Sequence, residues 1–444
     1  MNISNRKIPI KKSLKKSIEI HPNLKKWFLC TPTNFTIQEN NWFKSLKRLA
    51  PNQELVHWGE SEFNNFLSKP ECIGIKNYFF SELELDIDWF SSQVKKQIFN
   101  VKEKFIAPLH TETDTDFKIH CLLADLEFIE FIKGNLKKIE CELENFLEKK
   151  NEFEKINLNR ISADLQTKIL KALNNLDECQ KEIIPHIKNF LTLIEDGFIE
   201  KALDFELKNN GKRRKEIDNL RDYLDSIYYL IQESSKEQKD SILNIQNKLK
   251  KLLNCSAEFE SVFSNIEIAI DYFKKSEINI FGEAEIGKTH IACYLCEGKV
   301  KNNSPAILLL GRDFTKDKSI EKKILEILDI PIQYSWSDFL SALESMAEAY
   351  RTRIPIVIDA LNESETTDIW KNQLPGFTES LKKYPRIILI NTCRTLYTDY
   401  IWEGKKSQNY IYIYGFNEIN LEEAINKYFS YYYLNWAIFP DKNV

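Results

Sequence analysis

Eight consecutive residues, Gly282-Glu283-Ala284-Glu285-Ile286-Gly287-Lys288-Thr289, match the pattern GxxxxGK[ST]. In such a loop the backbone N–H groups, here from Gly282 through His290, surround phosphate oxygens, and the dipole of the helix that follows favours the anion. Lys288 would reach the β- and γ-phosphates of ATP, and Thr289 would offer a hydroxyl to Mg²⁺. His290 lies close enough in sequence to approach a bound nucleotide, although its place is also that of an ordinary helix residue. The chemistry then requires an acid at the end of a later buried strand to hold the metal. Asp359 closes the run Ile354-Pro355-Ile356-Val357-Ile358-Asp359, and Glu363 follows in Ala360-Leu361-Asn362-Glu363. Asp359 suits the hydrated metal; Glu363 is placed to orient or deprotonate an attacking water. A further apolar run ends at Cys393-Arg394. An arginine at the carboxyl end of a sheet strand lies on the ligand side of an open α/β fold, where it would meet the γ-phosphate. The expected catalytic groups are therefore Lys288, Glu363 and Arg394, the metal groups Thr289 and Asp359, and the ligands ATP or ADP with Mg²⁺.

Something must hold these groups at one edge. Five β-branched apolar runs, at 278–281, 306–310, 354–358, 387–391 and 410–414, alternate with amphipathic stretches such as Phe339, Leu340, Leu343, Met346, Ala347 and Tyr350. Alternation of this kind predicts a parallel sheet covered by helices. The glycine count adds weight to the loop. The 444 residues include only 12 glycines, well under the roughly 30 expected on average usage. Two of them frame one eight-residue window.

Upstream the texture changes twice. From 116 to 255, Leu122, Leu126, Ile129, Ile132, Leu136, Ile139, Leu143 and Phe146 recur at spacings of three and four. A second register runs Ile217, Leu220, Leu224, Ile227, Ile231, Ile242, Ile245, Leu249, Leu252, its phase surviving the polar Ser235 and Gln238. The pattern predicts three or four antiparallel helices or a short coiled coil, acting as a spacer. Residues 1–115 mix short strands, at 24–31 and 54–58, with helical stretches such as 89–101. Three regions follow: a partial N-terminal α/β segment (1–115), a helical bundle or coiled-coil connector (116–255), and a P-loop, RecA-like parallel-sheet NTPase core (256–444). The expected fold class is multi-domain α and α/β.

Taken in order, the strings GEAEIGKT, IVIDALNES, IILINTCRTLYTDYI and YGFNEINLEEAINKYF resemble the STAND NTPases, and more narrowly their bacterial antiviral (AVAST-type) members, over roughly residues 256 to 435. The resemblance makes Lys288 and Thr289 the Walker A pair, Asp359 and Glu363 the Walker B pair, and Arg394 a sensor arginine. One departure stands out: family loops often read GxxGxGK[ST], whereas Glu285 holds the middle glycine position. The resemblance implies an anti-phage switch that holds ADP as a closed monomer, meets a phage-derived trigger, assembles into a homo-oligomer with ATP, and activates an N-terminal effector. HPNLKKWFLCTPTNFT and ELVHWGESEF resemble the tail of a restriction-endonuclease-like effector domain. Nucleases of that kind need an Asp and a Glu-x-Lys, and the matches at Glu148-Lys149-Lys150 and Glu321-Lys322-Lys323 fall in helical charge runs read as solvated faces. The expectation is a chain incomplete at both ends, an ATPase switch without nuclease chemistry, with the aromatic stretch 431–439 packing on whatever follows.

Composition bounds the alternatives. With 62 basic and 66 acidic residues the net charge is −4, so no global nucleic-acid signature exists. Locally, Arg6, Lys7, Lys11, Lys12, Lys15 and Lys16 precede the first acid, which leaves DNA binding by the N-terminal segment open. Lys212-Arg213-Arg214-Lys215 reads as a solvated helix start. Cys293-x-x-Cys296 lacks two further zinc ligands nearby and reads as core. Trp27, Trp42, Trp58 and Trp89 suggest a packed N-terminal core. Nine cysteines, an odd and scattered set, point to a reducing cytoplasm, and no apolar run nears the ~18 residues needed to span a membrane. The reading that competes with an ATPase is a non-hydrolysing nucleotide-binding scaffold whose helical middle mediates assembly; a DNA-binding accessory protein is the third.

Overall fold

The computed structural model describes residues 6–67, 69, 72, 75, 85–207, 210–402 and 409–434. They fall into two compact units, Met1–Leu83 with Ser337–Ala342, and Glu84–Trp336 with Leu343–Val444.

In the first unit, helix α1 (Lys7–Ile20) precedes strand β1 (Lys26–Cys30), helix α2 (Ile37–Ser45), strand β2 (Glu54–Trp58) and helix α3 (Glu60–Leu67). The two strands pair in parallel, Lys26 opposite Glu54 and Cys30 opposite Trp58. A parallel pair needs a crossover, and α2 supplies it, its start fixed by a reciprocal capping box between Thr36 and Glu39. Leu14, Phe43, Leu46 and Ala50 form the core, with Trp27 and Trp42 packed on it. Lys11, Lys12, Lys15 and Lys16 stay exposed on α1.

The second unit opens with helix α4 (Ile87–Asn100), which carries Trp89 out of the N-terminal core and onto its own neighbour Phe90, ring centroids 4.7 Å apart. Then come α5 (Asp114–Leu123), α6 (Leu126–Glu154), α7 (Ala163–Glu195), α8 (Ile199–Leu203), α9 (Asn210–Glu233) and α10 (Lys236–Phe273). The four long helices make an antiparallel bundle. Lys133–Glu195, Lys188–Glu140 and Lys150–Asp177 align α6 against α7. Lys248–Glu152 and the stacked Phe128–Phe273 rings align α6 against α10. Arg213–Glu260 joins α9 to α10.

The bundle corrects four expectations. Leu122 and Leu126 belong to different helices, because Ala124 takes a left-handed φ of 50° and Asp125 caps α6 through the Phe128 N–H; Leu126 is exposed. The second register breaks as well: Ser235, at extended dihedrals, starts α10, and α9 and α10 form a hairpin rather than one continuous helix. Matching phase on both sides arises because both helices face the same core. Lys150 and Arg213 are not solvated. Lys150 is buried against Asp177 at 2.8 Å, and Arg213 lies under the ring of Phe263 with its Nε donating to Glu260. Periodicity shows which face is apolar, but a long basic side chain can run inside when an acid awaits it. Finally, α10 runs unbroken through residue 255, where the connector and the sheet region were divided.

All five apolar runs become strands of one parallel sheet: β3 (Glu277–Gly282), β4 (Ile307–Leu310), β5 (Ile354–Asp359), β6 (Ile387–Arg394) and β7 (Tyr410–Tyr412), in the order β4-β5-β6-β3-β7. Helices α11 (Lys288–Lys301), α12 (Ile320–Ile327), α13 (Trp336–Ala349), α14 (Asp368–Leu381), α15 (Thr398–Ile401) and α16 (Glu418–Tyr431) lie between or after them. Every residue of β4 and β5 is buried, the reason these strands read as unbroken apolar runs rather than alternating ones. The architecture is thus multi-domain, α and α/β. Of the aromatic stretch 431–439, residues 435–439 lie outside the described residues. Among the described residues no helix is long and apolar enough to cross a membrane.

Bundle and sheet meet at the amino edge of the strands. The fully buried Arg353 donates to the carbonyls of Leu122, Phe273, Lys275 and Pro385, and burial lowers its pKa to about 9. Beside it Arg386 reaches Gly197 O and Glu200, with Glu344 at 3.6 Å.

Candidate functional site

At the opposite, carboxyl edge of the sheet the ends of β3, β5 and β6 converge. β3 stops at Gly282, where an added Cβ would lie 2.8 Å from Ile286 Cγ2 and 3.1 Å from Ile413 O. The glycine is therefore required by close approach. At the other end Gly287 takes φ +98° to start α11. Between them Glu285 sits in the left-handed region at φ +63°, with its side chain exposed. An L-residue there costs about 1–2 kcal/mol relative to the right-handed region, the physical reason glycine is common in such loops.

The Lys288 side chain, almost wholly buried, folds back along the loop. Its Nζ donates to Gly282 O at 2.8 Å and to Glu283 O. Burial lowers its pKa, Asp359 pulls the other way and Arg394 reinforces the drop. These carbonyls hold the ammonium beside the space the loop encloses.

Next to it, Thr289 donates its hydroxyl to Asp359 Oδ2 at 2.8 Å. The other carboxylate oxygen, Oδ1, accepts from Thr392 Oγ1 at 2.6 Å, and Thr392 in turn accepts from the Ala360 N–H at 2.7 Å. Burial pushes the Asp359 carboxyl up, while the hydrogen bonds from Thr392 and Thr289 pull it back only in part. A hydroxyl and a buried carboxylate in contact form an oxygen donor set that fits Mg²⁺.

The turn carrying Glu363 is tied down at several points. Ala360 has φ +58°, and its carbonyl comes so close to Gly311, just after β4, that a Cβ there would sit 2.1 Å away. Trp370 Nε1 donates to Leu361 O at 2.8 Å, and the Arg394 N–H donates to Asn362 Oδ1 at 3.0 Å. Glu363 thereby projects toward two cations. Its Oε1 lies 3.9 Å from Arg394 Nη2 and 3.5 Å from Lys104 Nζ.

Lys288, Thr289, Asp359, Glu363 and Arg394, expected together, do meet. Glu283, Ala284 and Ile286 lie in the loop between Gly282 and Gly287. His290 is the exception, since its imidazole turns away from the loop. The ring packs 5.1 Å from Phe105 and 5.4 Å from His110, and burial, with His110 adding to it, pushes its pKa down to about 4. One step of roughly 100° around the helix from Thr289 puts it on the buried face. Cys293 and Cys296 are core residues. Burial raises both thiols, Cys293 to about 12, and Cys296 Sγ contacts Ile307 O. Among the described residues, the one His/Cys/Asp/Glu cluster with metal-ligand spacing is His120, Asp125 and Glu127, on the bundle.

Sequence reading missed Thr392, Asn362, Gly311 and Lys104. Thr392 carried a signal, a hydroxyl inside an apolar strand whose neighbour strand ends in a carboxylate. Gly311 carried a weaker one, as a rare glycine directly after a strand. Lys104 carried none, lying far upstream among other exposed lysines. No family model matches the chain, and no curated protein sequence matches it.

Proposed function

We propose that the chain is a P-loop NTPase that binds ATP or ADP with Mg²⁺ at this edge and hydrolyses ATP. The observation that carries the reading is the Thr289–Asp359 hydrogen bond, which joins two motifs 70 residues apart where the phosphate loop demands it. The strand order supports it too: β6 lies between the loop strand β3 and the acid strand β5, so Arg394 and Thr392 flank both. In this reading the loop N–H groups and the start of α11 hold the phosphates. Lys288 gives up its loop carbonyls for the β- and γ-phosphate oxygens. Thr289 and Asp359 would hold Mg²⁺, which when bound neutralises charge on the phosphates. Glu363 orients the attacking water and accepts its proton, and Arg394 meets charge developing on the terminal phosphate.

The test compares Mg-ATP binding and turnover in the wild type, Lys288→Ala and Glu363→Gln. Loss of the lysine should weaken ATP binding at least tenfold. Glu363→Gln should retain binding and lose turnover by about 10²- to 10⁴-fold. Wild-type protein that binds ATP but turns over no faster than Glu363→Gln would leave the scaffold reading in its place. Beyond the chemistry, the resemblance to STAND NTPases of the antiviral group suggests a switch in anti-phage defence. That extension predicts a rise in sedimentation coefficient with ATP and trigger together, and it fails if the mass is unchanged under every nucleotide condition in phage-infected extract.

A further inference from the structure

Lys104 belongs to the short helical turn Lys102–Lys104, which follows α4 and lies outside the sheet and every motif of the site. Yet its ammonium reaches the same Glu363 oxygen that faces Arg394. An exposed pair of this sort contributes about 0–1 kcal/mol, so its interest lies in position rather than stability.

That position is built from both sides. Upstream, α4 is fixed by fully buried Phe90 and Val94, by Gln93 donating to Leu328 O, and by Arg312, beside Gly311, donating to Asn100 O at 2.8 Å. Downstream, the next residue, Phe105, is buried with its ring against His290, the neighbour of Thr289. Lys104 is thus held between the Gly311 turn and the first turn of α11, the two elements that frame the site.

Two cations converging on one carboxylate oxygen describe a place for an anion. A terminal phosphate carries more charge than a carboxylate and three acceptor oxygens, so it would compete with Glu363 for both cations. We propose that Lys104 is a terminal-phosphate residue: with ATP bound it leaves Glu363 for the γ-phosphate, freeing that carboxylate to take the attacking water, and with ADP it stays where it is. The inference rests on the ATP-site reading above. It makes the ATP-over-ADP preference depend on a segment outside the sheet.

The experiment measures binding of Mg-ADP and of a magnesium complex of a non-hydrolysable ATP analogue, together with ATP turnover, in the wild type, Lys104→Met and Lys104→Arg. Loss of one charge-assisted contact to the terminal phosphate should weaken the analogue about tenfold or more, leave ADP affinity within about twofold, and slow turnover by at least the same factor. Lys104→Arg should recover most of the preference. Equal losses for both nucleotides, an unchanged preference, or faster turnover in Lys104→Met would each overturn the assignment while leaving the ATPase reading intact. A wild type that binds neither nucleotide sinks both together.

Discussion

At the scale of single residues the site is a balance between conformation and charge. Glu285 occupies a left-handed φ of +63° in the loop proposed to hold phosphate. It is strained in backbone and of the wrong sign for an anion's neighbour. Replacing it with glycine removes both penalties. Glu285→Gly should raise ATP affinity about two- to tenfold, since an exposed charge acts through screened solvent. It should add about 0.5–1 kcal/mol of stability, the relief of about 1–2 kcal/mol of left-handed strain being partly offset by the larger backbone entropy glycine loses on folding. Calorimetric titration and urea unfolding check the two effects separately. A drop in affinity would show that the carboxylate helps to hold the loop open.

At the scale of elements, two short turns position the chemistry. The turn after β4, Gly311–Asp313, packs against the turn after β5, Leu361–Glu363, and Gly311 lets their backbones touch at Ala360. A methyl group at 311 meets a backbone carbonyl, not the end of a flexible side chain, so the Glu363 turn must shift. Gly311→Ala should slow turnover by roughly 10²-fold through misplacement of the carboxylate. ATP binding should change much less, because Lys288 and Thr289 stand on α11. A variant with normal turnover would mean that the two turns separate without cost to the geometry of Glu363.

For the molecule as a whole, the amino edge of the sheet carries a pH response. Burial pushes Glu344 up to about 7, against the pull of Arg386 and the farther Arg353, with Glu200 adding to the rise. A carboxyl whose folded pKa exceeds its unfolded value contributes stability that is complete below the unfolded pKa and is lost as pH rises through the folded one. The window therefore runs from about 4.5 to a little above 7. Between pH 5 and pH 8 the wild type should lose up to about 3 kcal/mol relative to Glu344→Gln, measured by urea unfolding at both values. A constant difference between the two proteins would refute the raised pKa.

The same scales mark how far reading the residues could go. The five strands, the loop between β3 and α11, and the acids of β5 were legible because each depends on local pattern: apolar run length, rare glycines, and an acid at a strand end. The bundle was legible only as a set of apolar faces. Where one helix ended and the next began, at Ala124 and at Ser235, depended on two left-handed or extended residues that leave periodicity intact. Which charges went inside, Lys150 and Arg213 among them, depended on acids 27 and 47 residues away. In the candidate site, sequence determined the candidates recognisable by their own type and spacing, namely Lys288, Thr289, Asp359, Glu363 and Arg394. Tertiary structure alone decided that His290 turns inward, that Thr392 and Gly311 hold the two acids in place, and that Lys104 arrives from an upstream turn. The reason is physical: a motif encodes contacts within one turn of chain, whereas a partner delivered by packing has only to end at the right point in space.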